Sequence, residues 1–350
     1  MSQILVMVLV GLSVGLLLGI LAERTAFSPY DAVREVLAGE QRSSAAVVVV
    51  AMASALALTQ AALIVGLFET AGSSYLPQRT SLVGILIGGV IFGVGSVFAK
   101  GCLTRCTVRA ASGDVQAQIT IAVAGAAAYA TIHGVFGPLR SALSRILPGD
   151  VGSVDLAHRF SDLSHMPVDG VRTLIVCLAI LAISFVVFFT RFRRVTIYAI
   201  GFGAIVAGAW IATATVFADP FEVPRPNAVS IAGPLASLVH CILDTLNCVP
   251  DYGMALVIGV LGGAFLSSLR NGQFDRSGFD GVRGIRDSVI GGTLMGFGAV
   301  VSGGCTIGQG LSGLSVLSIM APVAILGIII GIVMTFAWQG RTRAIVPAQA

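Results

Sequence analysis

Two cysteines occupy equivalent places in a repeated glycine pattern. Gly88-Gly89-Val90-Ile91-Phe92-Gly93-Val94-Gly95 can be laid over Gly291-Gly292-Thr293-Leu294-Met295-Gly296-Phe297-Gly298, and four glycines coincide at a constant offset of 203 residues. The same offset pairs Gly101-Cys102 with Gly304-Cys305. A thiol is a weak donor and a soft acceptor, suited to brief contact with a passing solute rather than to tight binding. The glycines let helices approach closely and let a helix break and expose peptide N–H groups. Broken helices can point those N-termini at an anion. Close packing of small residues is the competing reading of Gly88, Gly93, Gly291 and Gly296.

The residues around the two corners are polar. The first continues Leu103-Thr104-Arg105-Cys106-Thr107-Val108-Arg109 and is preceded by Lys100. Its cations read either as the lining of an anion path or as anchors for the cytoplasmic end of a helix. The second continues Thr306-Ile307-Gly308-Gln309-Gly310 inside a stretch, Ser288 to Gly340, that has no Lys or Arg and no acid. Polar groups there must be satisfied by protein, water or substrate.

The elements that position these corners follow from composition. Of 350 residues, 56% are hydrophobic and 11% charged, against about 25% charged in soluble domains. Uncharged windows long enough to cross a bilayer run Gln3 to Ala22, Ser43 to Phe68, Thr80 to Ala99, Val115 to Leu139, Thr173 to Thr190, Val195 to Ala218 and Tyr252 to Leu269, and Ser288 to Gly340 has room for two more. The fold class is an all-α polytopic membrane protein of about nine transmembrane helices with short broken or re-entrant helices. These runs are continuous and too long for tilted strands, which argues against a β-barrel. The first window lacks the basic front of a cleaved signal peptide and reads as a membrane helix. Ile231 to Leu246 reads as a short helix at the interface.

Basic residues near span ends prefer the cytoplasm. Placing Arg191, Arg193 and Arg194 there puts Arg24, Arg34, Arg42, Arg270, Arg276, Arg283, Arg286, Arg341 and Arg343 on the same side, with Arg79 and Arg225 outside. The N-terminus then lies outside and the C-terminus inside, and the two glycine segments enter the membrane from opposite sides as an inverted internal repeat. One membrane domain, 1–350, divides into a first repeat half, 1–139, an external loop with linking helices and an external short helix, 140–251, and a second half, 252–350. Asp219-Pro220, Pro224 and Pro226 mark a turn region in the middle segment. A net charge of +4 without a basic stripe gives no reason to invoke nucleic acid.

The motif Met295-Gly296-Phe297-Gly298 leading to Ser302-Gly303-Gly304-Cys305-Thr306-Ile307-Gly308-Gln309-Gly310 resembles the YeeE/YedE sulphur-transport family of bacterial inner-membrane proteins, which includes thiosulfate uptake proteins. The likeness covers nearly the whole chain. It implies a multi-pass protein of the inner membrane that takes up a small sulphur oxyanion such as thiosulfate, with membrane lipid around it and no cofactor or enzymatic activity. It also implies that Cys102 and Cys305, in their Gly-Cys corners with Gly101 and Gly304, face one another across a central pathway, to which the residue readings add Ser28, Lys100, Arg105, Arg109, Thr306 and Gln309 as candidate lining. The chain departs from the family in two places. Arg24-Thr25-Ala26-Phe27-Ser28 has Ser28 where relatives often have a third pathway cysteine, and Lys100-Gly101-Cys102-Leu103-Thr104-Arg105 stands where their first corner usually reads Gly-Gly-Cys-x-x-Gly. An alternative function is a sulphur relay, in which a cysteine persulfide passes sulphur to a cytoplasmic carrier protein.

The other cysteines carry less. Cys177 lies mid-span and reads as inert packing. Cys241 and Cys248 stand seven apart on the external side, either bridged or as two free thiols. Cys102 and Cys106, four apart, share a helix face, but without a neighbouring histidine or a Cys-x-x-Cys no metal site is assigned.

Overall fold

In lipid a chain must satisfy its own backbone N–H and C=O groups, and a long uncharged run does so locally only as a helix. The computed structural model describes residues 2–345 apart from 26, 40–42, 71, 78, 148, 151–154, 190–192, 217–225, 247, 273 and 275–280, and it is built almost entirely of helices. In chain order these are α1 (Ser2–Thr25), α2 (Pro29–Ala38), α3 (Ser43–Ile64), α4 (Leu82–Phe98), α5 (Leu103–Ala111), α6 (Val115–His133), α7 (Gly137–Ser144), α8 (Leu156–Ser164), α9 (Val168–Phe189), α10 (Arg193–Val216), α11 (Ala232–Leu243), α12 (Tyr252–Arg270), α13 (Gly281–Val301) and α14 (Met320–Ile345). The two-residue strands β1 (Arg79–Thr80) and β2 (Gly149–Asp150) pair antiparallel and tie the loop before α4 to the loop after α7. Arg191, Arg225, Arg276 and the Asp219-Pro220 turn lie outside the described residues.

Among the described residues, eight helical stretches are long and apolar enough to cross a membrane: those built on α1, α3, α4, α6, α9, α10, α12 and α14. The ninth expected crossing is α13. It is a helix of 21 residues, but its first two turns carry Arg283, Arg286 and Asp287, so it is less apolar than the rest. It packs along both α4 and α6. The short helix expected over Ile231 to Leu246 is α11, which stops at Leu243. Cys241 near its end and Cys248 just beyond it are joined in a disulfide with their Cα atoms 4.8 Å apart. Loop-closure entropy for so short a ring corresponds to about 2 kcal/mol, so a reductant or Cys248→Ser is expected to lower the thermal midpoint by a few degrees. An unchanged midpoint in a thermal-unfolding scan would mean the bridge holds nothing in place.

Small residues set the central seam. A Cβ added at Gly95 would stand 2.8 Å from the Gly291 carbonyl oxygen, and one added at Gly298 would stand 2.8 Å from the Gly88 carbonyl oxygen. Shifting the first pair by the repeat offset produces the second, with the order of the helices exchanged. Residue numbers rise along α4 as they fall along α13, so the two equivalent helices are antiparallel and related by a two-fold pseudo-axis. The same relation extends outward: Gly89 and Gly93 press on α14 at Ala324 and Ile328, while their counterparts Gly292 and Gly296 press on α6 at Thr120 and Ala124. This is the geometry of an inverted repeat.

At the edge of this core Cys177 is exposed on the same helix as exposed Leu174, Leu178 and Leu181. The expectation that it packs inside is corrected here. α9 has protein on one side only, so a mid-span position on its outer face meets lipid.

Candidate functional site: two facing cysteine corners

The repeated sequence folds into a repeated break. α4 ends in a reversal in which Lys100 N–H donates to Val97 O (3.2 Å) and Gly101 N–H to Ser96 O (2.9 Å). α13 ends in the same way, with Gly303 N–H donating to Val300 O (3.4 Å) and Gly304 N–H to Ala299 O (2.8 Å). This bond pair closes a helix on a residue in the left-handed region, most often glycine. Gly303 has φ 74° and supplies that residue in the second corner, whereas Lys100, with φ 55°, supplies it in the first. After each reversal the cysteine starts a new helix: Cys106 N–H donates to Cys102 O (2.9 Å) and Gln309 N–H to Cys305 O (2.8 Å). Cys102 is the N-cap of α5. The helix after Cys305 passes into a π-helical stretch, Gly308–Gly313.

Both thiols are inside the protein, Cys102 1% and Cys305 0% exposed. They are close enough to act on one another electrostatically, and the Cys102 sulfur lies beside the Arg105 backbone N–H and the Thr306 hydroxyl, without forming a regular cap. The buried hydroxyls of Thr104 and Thr306 have no hydrogen-bond partner of regular geometry among the described residues, although buried polar groups normally have one.

Other residues singled out in the sequence stand elsewhere. Gln309 Nε2 donates to Ser302 O (3.2 Å) and Gly303 O (2.9 Å), stapling the second reversal. Its repeat counterpart is Cys106, whose thiol points at Ala99 O (3.9 Å) and Gly101 O (3.7 Å) in the first reversal. Sulfur reaches those carbonyls less well than an amide does, and Arg109 completes the brace. Its guanidinium donates to Ala99 O (3.4 Å) and Lys100 O (3.2 Å) and pairs with Asp114 through Nε at 2.9 Å. Arg109 and Gln309 thus hold the corners in shape. Ser28 is fully buried and caps α2 by accepting from Asp31 N–H at 3.2 Å. The charge of Asp31 acts on Cys102, which places this cap near the first thiol. Arg105 is partly buried at the start of α5, and Lys100 is exposed.

Lys100 carries a strained backbone. A non-glycine residue in the left-handed region costs about 1 kcal/mol or more. Lys100→Gly is therefore expected to raise the thermal midpoint by a degree or two, and a midpoint unchanged in a thermal-unfolding scan would mean that the backbone at this turn carries no strain.

Tyr75 is a site residue that the sequence does not reveal. Its hydroxyl lies within reach of Ser230 and Ser312 and beside Cys305, and a Cβ on Gly308 would be 3.4 Å from it. Burial pushes the phenol well above its ordinary value, so it stays a neutral donor at physiological pH. No local pattern marks a lone tyrosine in a loop. Among the described residues no three His, Cys, Asp or Glu side chains converge as metal ligands.

The pattern of the Sulphur transport family matches residues 24–334. The chain belongs to this family. Two relatives are similar over almost their whole lengths. The thiosulfate transporter TsuA of Escherichia coli (strain K12) is 26% identical over 357 residues, covering 96% of each chain. TsuA of Spirochaeta thermophila (strain ATCC 700085 / DSM 6578 / Z-1203) is 29% identical over 343 residues, 95% of this chain and 98% of its own. This member of the Sulphur transport family is a multi-pass protein of the bacterial inner membrane that transports a small sulphur-containing anion.

Proposed function

We propose that the chain takes up thiosulfate, or an anion of the same shape and softness, through a constriction formed by Cys102 and Cys305. The observation that carries this reading is the pseudo-two-fold break. Two buried thiols stand at the starts of two helices, where positive helix ends and buried hydroxyls meet. The names of the two relatives support thiosulfate as the substrate. Exposed Gly303 and exposed Lys100 are equivalent in the repeat, so each corner presents its reversal to one mouth of the pathway.

The arginine distribution supports an N-terminus outside and a C-terminus in the cytoplasm. On that orientation the Gly303 mouth faces out and the Lys100 mouth faces in. Thiols donate weakly, so they replace part of the hydration of a soft anion without trapping it, as conduction requires.

The test is uptake of labelled thiosulfate, sulfite and sulfate by proteoliposomes. Thiosulfate accumulation that excess sulfate does not suppress is expected. Absence of thiosulfate uptake by well-folded protein overturns the proposal. A sulphur adduct that builds up on Cys102 or Cys305 while the vesicles stay empty also overturns it, in favour of a relay that hands sulphur to a cytoplasmic carrier.

A further inference from the structure

Two cavities open above the second corner and share a wall. One, of about 330 Å³, is lined by the loop before α4, by α7 and by the end of α13. The other, of about 350 Å³, lies between that loop, the segment leading into α11 and the Gly303-Gly304 reversal, with Tyr75 in its wall. Ser74, Arg140, Val300 and Gly303 line both. Among the described residues that line either cavity, Arg140 is the one charged side chain. It is partly buried on α7, and the rest of the polar lining is hydroxyls and amide.

We infer that these two cavities form one anion-capture vestibule in which Arg140 holds a hydrated divalent oxyanion before it reaches Cys305. This rests on the pathway proposed above and adds a binding site to it. A water's share of liquid volume is about 30 Å³, so either cavity has room for a small oxyanion together with several of its waters. Capture here therefore precedes dehydration, which falls to the Gly303-to-Cys305 reversal, where exposure drops from open to none. A guanidinium presents paired donors that match two oxygens of an oxyanion while remaining charged at any physiological pH. One cation in a funnel with low-dielectric walls also raises the local concentration of anions, an effect that salt screens. The hydroxyls of Ser74 and Ser230 let the anion move between the two lobes, with no second fixed charge among the described lining residues to hold it.

The decisive measurement is the potential in the vestibule, read independently of transport. Ser74 is exposed and lines both lobes, and a Ser74→Cys variant places a thiol there. Of the native thiols Cys177 alone is exposed, the other free ones are buried, and Cys241 is bridged to Cys248. A Cys177→Ser parent therefore supplies the background rate. The ratio of reaction rates with an anionic and a cationic methanethiosulfonate is expected to fall about tenfold when Arg140→Gln is added, and to be largely kept by Arg140→Lys. In proteoliposomes Arg140→Gln is expected to raise the KM for thiosulfate about tenfold, with the maximal rate little changed and the salt dependence flattened. A reactivity ratio indifferent to Arg140 overturns the vestibule. If the ratio falls but the native chain takes up no thiosulfate, the capture site stands and the substrate assignment alone fails.

Discussion

Cys305→Ala is expected to slow thiosulfate uptake by about thirtyfold, the equivalent of one lost hydrogen bond to a charged solute worth about 2 kcal/mol at the barrier. The thiol is fully buried and stands where a new helix begins, with Tyr75 beside it. Substitution by alanine keeps the backbone path and removes only the thiol that the proposed pathway would present to the solute. Folding should change little, because the bonds that make the reversal run through backbone atoms and Gln309. Cys305→Ser, which keeps a donor but loses the soft acceptor, is expected to fall between the two. Cys102→Ala should resemble Cys305→Ala, because the repeat places the two thiols equivalently. Initial rates of labelled thiosulfate uptake, compared at matched protein incorporation and thermal midpoint, decide the matter. Uptake unchanged in both alanine variants would remove the cysteines from the pathway.

Gly298→Ala is expected to do more damage than its single methyl suggests. The new Cβ would stand 2.5 Å from Phe92 N and 2.8 Å from Gly88 O. Both are backbone atoms of α4 that cannot rotate away, so the two central helices must separate. Overpacking of this kind costs about 1–3 kcal/mol in well-packed interiors. Here the seam also carries the two corners, since α4 ends in one and α13 in the other. A thermal midpoint lower by a few degrees and poor recovery of monodisperse protein are expected, and Gly298→Val should be worse. A methyl added at Gly262 would meet nothing within 4 Å, so Gly262→Ala is the matched control. Equal midpoints for Gly298→Ala and Gly262→Ala would mean that the seam yields without cost.

The braces explain why the two corners differ in sequence while matching in backbone. In the second corner one amide, from Gln309, serves both carbonyls. In the first, Cys106 points weakly at Ala99 O and Gly101 O, and Arg109, held by Asp114, adds a charged donor to Ala99 O and Lys100 O. Each half therefore closes its helix end with the donors it has. The cations around Gly101 divide accordingly: Arg109 anchors, whereas Lys100 is exposed.

The sequence alone determined the membrane class, the paired glycine segments and the positions of the two cysteine corners. Each of these is a property of the chain read along its length: apolar windows measured against bilayer thickness, or residue types recurring at a fixed offset. It also carried the short helix before Tyr252 and the family resemblance. What only the tertiary structure decided are the roles that depend on partners distant in the chain. Gln309 and Arg109 became braces because carbonyls freed at a helix end lie within their reach. Cys177 turned to the outside because α9 is an edge helix, and Tyr75 and Arg140 came to line cavities at Gly303 because separate loops meet there. A cavity or a facing pair is assembled from segments far apart in sequence, and no local spacing records which of them will be neighbours.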